Sequence, residues 1–270
     1  WGSEDDPGVD GDPRIYGLFA HNLGASTAAY FASDHTYPKV VVPVSNEHEM
    51  FFFNLDALGT SLYLRGVESI VAHEFQHMIR ANLQVNAETW LNEGLSQFTQ
   101  FYLYDDVDSN IVSFLYQPNT QLDDWNAEPG ARSANYGAAS LFMIYFYQRY
   151  GLDGMRALSA ETAPRGLQAV DDVLRARDEQ DADDFFADWV LANALSDEDY
   201  ADGRFGYVGL PTLLTPPPLA TVTEYPFDYD GTTNQYATSY FALTNLDGAQ
   251  ALDLSIKSPA SVSLIPTTAA

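Results

Sequence analysis

Residues 71–80 read VAHEFQHMIR, and Val67, Ile70, Val71, Met78 and Ile79 recur around them at steps of three and four. That period predicts one amphipathic helix over about 61–83. Positions four apart on a helix fall within about 40° around its axis, so His73 and His77 project from one face. Two imidazoles so placed can reach a single ion at about 2.0–2.1 Å. Glu74 lies beside that face, where it can act on a proton rather than bind the ion.

A catalytic zinc site needs a third protein ligand and an open fourth position. Downstream, ETWLNEGLS (88–96) offers Glu93, with 15 residues between it and His77. The gap allows the first helix to end, the chain to turn near 82–86, and a second helix to return, with Asn86 as its N-cap and its end near Tyr104. His73, His77 and Glu93 are therefore the candidate zinc ligands and Glu74 the candidate general base.

Upstream, Ile15–Phe19, KVVVPV (39–44) and MFFFN (50–54) read as strands. Downstream, Asp105–Ala134 is rich in turn residues and reads as irregular. Asn135–Tyr150 is the most apolar helical segment, stopped by Gly151. Shorter helical patterns follow over 153–160, 165–176 and 182–196. Past residue 202 the character changes: TPPPLATVTEYP (215–226) reads as a semi-rigid connector. Alternation over 236–244 and 252–256, about Asp247-Gly248, suggests a hairpin. The fold class is α+β, divided into an acidic flexible arm (1–13), a main domain (14–214), a linker (215–226) and a small, truncated-looking β module (227–270).

The 270 residues include no cysteine, which excludes disulfide frameworks, thiolate metal sites and cysteine nucleophiles. Acidic residues outnumber basic ones 38 to 12, a net charge of -26, which argues against phosphate backbones and anionic membrane surfaces as partners. No apolar run is long enough to span a bilayer. The chain opens at Trp1 without an initiator Met or a basic-then-apolar leader, so any signal peptide is expected to lie outside this sequence. The composition leans towards a secreted or cell-surface protein, and leaves the oligomeric state open.

VAHEFQHMIR followed by ETWLNEGLSQF resembles the gluzincin zinc metallopeptidases. The wording HEFQHM and the preceding SNEHEM (45–50) look most like the hyicolysin-type neutral metallopeptidases of bacteria, over about residues 40–200. The resemblance implies a zincin-like fold with an N-terminal sheet, an active-site helix and a helical lower subdomain. It also implies Zn2+ as cofactor and a protein or peptide as substrate. Aminopeptidases of the clan carry a Gly-x-Met-Glu-Asn segment that this chain lacks, so an endopeptidase is favoured. A zinc aminopeptidase and a catalytically silent zinc- or calcium-binding surface protein are the alternatives. The family's transition-state tyrosine has its nearest counterpart in Tyr136, which precedes Gly137 directly, a different offset; packing at the helix start is its other reading.

Weaker readings complete the set. Glu88 could hydrogen-bond a ligating histidine, or stand as a solvated charge at a helix start. His48, between Glu47 and Glu49, could bind a second metal or be a surface residue. MFFFN could be an edge strand that pairs with an extended peptide, or a buried one. DDVDSN (105–110) and DYDG (228–231) carry oxygen ligands for Ca2+ without matching an EF-hand loop, with solvated turn as the default.

Overall fold

Three strands, β1 (Tyr16–Ala20), β2 (Ala29–Phe31) and β3 (Met50–Asn54), form a sheet in the order β1-β3-β2, with β1 parallel and β2 antiparallel to β3. This computed structural model describes residues 1–270 except 25–26, 59–63, 84–87, 162–164, 178–179, 211–214, 249–250, 259 and 268–270; side chains are also left undescribed at 64–65. MFFFN is buried along its whole length because both its edges are paired and both its faces are covered. Phe51 and Phe53 point to the first long helix, while Phe52 stacks on Tyr30 at 4.7 Å. It is thus the central strand, and the reading of it as a peptide-pairing edge is corrected: the free edges belong to β1 and β2.

KVVVPV is not a strand. The Pro38 carbonyl accepts from the N–H groups of Val41 and Val42 at 2.8 and 3.0 Å, closing a turn, and Pro43 has no N–H for a ladder. Val40 is left 90% exposed. Local turn chemistry overrides the β propensity of the valines here.

After α1 (Leu55–Leu58), the long helix α2 (Leu64–Asn82) and its partner α3 (Thr89–Tyr104) match the two helices expected around the histidines and Glu93. The expected N-cap, Asn86, lies outside the described residues. α2 has two working faces. Val67, Ile70, Val71, Phe75 and Met78 pack on the sheet, whereas Ser69, His73, Gln76 and His77 meet α3. The first residues of the chain are tied to these helices: the Trp1 indole N–H donates to Thr99 Oγ1 at 2.8 Å, and Asn82 donates to the Ser3 carbonyl at 2.9 Å.

The stretch 105–134 is not irregular throughout, contrary to its turn-rich appearance, and part of it enters the core. It contains α4 (Asn110–Leu115), whose Ile111, Phe114 and Leu115 are buried together with Leu122. α5 (Ser133–Ala160) crosses α4 so closely that a Cβ on Gly137 would lie 2.1 Å from the Asn110 carbonyl oxygen. Gly137→Ala must push two backbones apart, and is expected to destabilise the fold by about 1–3 kcal/mol, lowering the melting temperature by roughly 2–4 °C per kcal/mol. An unchanged melting temperature would disprove the close crossing. α5 is broken at Gly151, whose φ of 62° and ψ of -168° suit glycine alone, and this is the stop expected there.

α6 (Gly166–Arg175) and α7 (Ala182–Leu195) close the main core, in which Phe142 packs on Phe185 and Trp189 at 5.4 and 5.3 Å. Each such ring contributes on the order of 1.5–3 kcal/mol by leaving water. Beyond it, β4 (Ala220–Val222) pairs in parallel with β5 (Phe241–Leu243), so the expected hairpin is replaced by a parallel pair. Leu252, Leu254 and Ile256 form no strand and are exposed. Tyr236 and Tyr240 tie this region to α7, donating to Asp183 Oδ1 and the Val190 carbonyl at 2.6 and 2.9 Å.

Candidate metal centre

The seam between α2 and α3 is polar because each helix turns a spaced set of hydrogen-bonding side chains to the other: Ser69, His73 and His77 at four-residue steps, and Glu93, Ser96 and Gln100 at steps of three and four. Glu93 Oε2 lies 3.3 Å from His73 Nε2 and 3.6 Å from His77 Nε2. The two imidazoles are nearly perpendicular, with centroids 4.9 Å apart. One ligand atom from each residue falls within 4.8 Å of the others, the only such group of three among the described residues.

The donor set fits a divalent metal on three grounds. It has the two-nitrogen, one-carboxylate chemistry that zinc favours. Glu93 Oε2 is buried without a hydrogen-bond partner, a costly state for a carboxylate oxygen unless an ion balances it. Finally, His73 Nδ1 lies 2.9 Å from Gln100 Oε1, leaving Nε2 to face the other two donors. Electrostatics agree with this picture. Burial alone would raise the Glu93 carboxyl, but the two histidines outweigh it and hold it at about 2. His77 is shifted upward, since Glu93 and Glu74 overcome the opposing effect of burial.

Glu74 follows His73 on α2 and is 6% exposed. Its Oε2 accepts the Phe31 N–H from β2 at 2.8 Å. Burial raises its carboxyl above the usual range, with the histidines pulling the other way. Tyr136 stands in the first turn of α5, its ring edge-on to Trp125 at 4.8 Å. Burial, with the charges of Glu93 and Glu74 added, pushes its phenol up, so it stays protonated.

The chain is similar to a metalloprotease. The neutral metalloprotease ShpI of Staphylococcus hyicus is 30% identical over 140 residues, covering 45% of this chain. The match spans 31% of that protein, so the chain corresponds to about a third of its length. No family model matches. The similarity supports a metallopeptidase family and a metal at a site such as His73, His77 and Glu93.

The other sequence readings fall elsewhere. Glu88 contacts no histidine of the cluster: its Oε2 accepts from the Trp90 indole and the Gly166 N–H at 3.0 and 2.9 Å, joining the starts of α3 and α6. His48 pairs with Asp10 at 2.6 Å and lies tilted against the Tyr16 ring, with centroids 4.6 Å apart. Neither 105–110 nor 228–231 brings together three such donors among the described residues, so Ca2+ gains no support. Ser69, Gln100 and Phe31 were not anticipated. The first could have been found from its place one turn before His73, and Gln100 from its place two turns after Glu93.

Proposed function

We propose that this chain is a zinc-dependent endopeptidase acting on proteins or peptides, with His73, His77 and Glu93 as zinc ligands and Glu74 as general base. The observation that carries the reading is the convergence of three donor atoms beside a buried carboxylate whose second oxygen is anchored on a strand edge. Zinc, when bound, supplies Lewis-acid chemistry that polarises a carbonyl and acidifies water.

The chain's own residues do the rest. His73 and His77 offer ring nitrogens as donors to the ion, and Glu93 contributes the negative charge that offsets it. The Phe31 N–H holds Oε2 of Glu74, which leaves Oε1 to take a proton from the attacking water and return it to the departing amine. Tyr136 serves as the phenolic donor to the developing oxyanion. The substrate lies along β2. Asn54 N–H donates to the Ala28 carbonyl, so alternate residues Ala29 and Phe31 turn their main-chain groups away from β3, towards the site. Secretion or display at a cell surface accords with the strongly acidic composition.

The test is a mass-spectrometric cleavage profile of a mixed peptide library. Internal cuts are expected that vanish when a chelator strips the metal and return with zinc. Cuts confined to the first residue would indicate an aminopeptidase. No cuts from the zinc-loaded protein would indicate a silent scaffold.

A further inference from the structure

A line of three hydrogen bonds runs from the surface to the metal centre. Asp105 ends α3 in a left-handed conformation, φ 54°, and the next residue, the exposed Asp106, reaches the flank of α2. There Ser69, 2% exposed, donates its hydroxyl proton to Asp106 Oδ2 at 2.6 Å. Gln100 Nε2 donates to Ser69 Oγ at 2.9 Å, and Gln100 Oε1 stands 2.9 Å from His73 Nδ1.

The directions of these bonds are not independent. An ionised carboxylate has no proton to donate, so the single hydroxyl proton of Ser69 is committed to Asp106. Ser69 Oγ can then only accept from Gln100. The amide must therefore turn its NH2 to Ser69 and its oxygen to His73. A carbonyl oxygen only accepts, so the ring proton of His73 sits on Nδ1 and Nε2 keeps its lone pair, 3.3 Å from Glu93 Oε2. Reversing the line would put a donor against Nδ1, move the proton to Nε2 and remove the metal-binding lone pair.

We infer that Asp106, Ser69 and Gln100 form a positioning relay in which a surface carboxylate sets the tautomer of a buried metal ligand. The inference rests on His73 being a ligand, as proposed above, and it places at position 100 an amide that cannot enforce the tautomer by itself. That weakness makes the rest of the line necessary. A carboxylate at position 100 would accept from His73 whatever Ser69 does, whereas the amide is free to flip unless Asp106 directs it.

The test uses Asp106→Asn, whose amide can donate or accept and so no longer directs the line, with Gln100→Glu as the rescuing change. Two quantities are read in the full chain: zinc affinity by competition with a chromophoric chelator, and the His73 tautomer by 15N NMR of the metal-free protein at alkaline pH. Asp106→Asn is expected to weaken zinc binding about tenfold, at the low end of the ~10–100-fold cost of losing an outer partner. The spectrum should move from an Nδ1–H ring towards a mixture of tautomers. The double variant Gln100→Glu/Asp106→Asn should recover both, returning affinity to within about threefold of wild type. Unchanged affinity and an unchanged Nδ1–H ring in Asp106→Asn would overturn the relay, as would an Nε2–H ring in the wild type. The tautomer is read without metal. An Nδ1–H ring that responds to Asp106→Asn in a protein that binds no zinc would therefore uphold the relay while sinking the metal reading.

Discussion

Glu74→Gln is expected to leave the fold and the metal site intact and to cut peptide hydrolysis by about 10²–10⁴-fold, the usual contribution of a positioned general base. The substitution separates the two roles of this side chain. Its structural role is to accept the Phe31 N–H, joining α2 to β2, and a glutamine oxygen accepts that bond at the same length. Its proposed chemical role is to take a proton with the other oxygen, which an amide cannot do. The side-chain volume is unchanged in a 6% exposed position, so packing gives no reason for a loss of stability. Steady-state hydrolysis of a peptide cut by the wild type, measured beside zinc content and melting temperature, checks this. Turnover within tenfold of wild type, with zinc retained, would assign the base to another group.

The legible part of the molecule was the part with local period. His73 and His77 announce their common face through a four-residue spacing, and Glu93 through a second helix of similar pattern. Gly151 announces the break in α5. What escaped depends on which elements meet. MFFFN reads as a strand from its composition, yet its place between β1 and β2 is set by pairings with residues 16–20 and 29–31. The valines of 39–44 have strong β propensity, but Pro38 and Pro43 bracket Val40, Val41 and Val42, and the carbonyl of Pro38 closes a turn. Within 105–134, the six-residue α4 stands between turn-rich flanks, and the burial of its Ile111, Phe114 and Leu115 accompanies the close crossing at Gly137. Gln100 acquires meaning only because α2 and α3 pack so that it faces His73, a distance no sequence window of either helix contains.

Glu93→Gln is expected to produce a different failure from Glu74→Gln: zinc and turnover lost together. Among the three converging donors, Glu93 alone carries a negative charge. Its carboxyl, which burial alone would raise, is kept ionised by the two imidazoles at about 2. An amide keeps the shape but offers a dead-end choice between a weaker neutral oxygen and an NH2 that repels a cation. The loss in zinc affinity should therefore exceed the ~10–100-fold typical of removing an outer partner. It is measured by chelator competition and also by heat. A ligand that binds only the folded state adds about 2.7 kcal/mol at one hundred times its dissociation constant, so zinc should raise the wild-type melting temperature and leave that of Glu93→Gln nearly fixed at the same concentration. If the variant is stabilised as much as the wild type, Glu93 is not the third ligand. No other described trio of histidine and carboxylate atoms lies close enough together to replace the set, so the third ligand beside His73 and His77 would then have to come from another group.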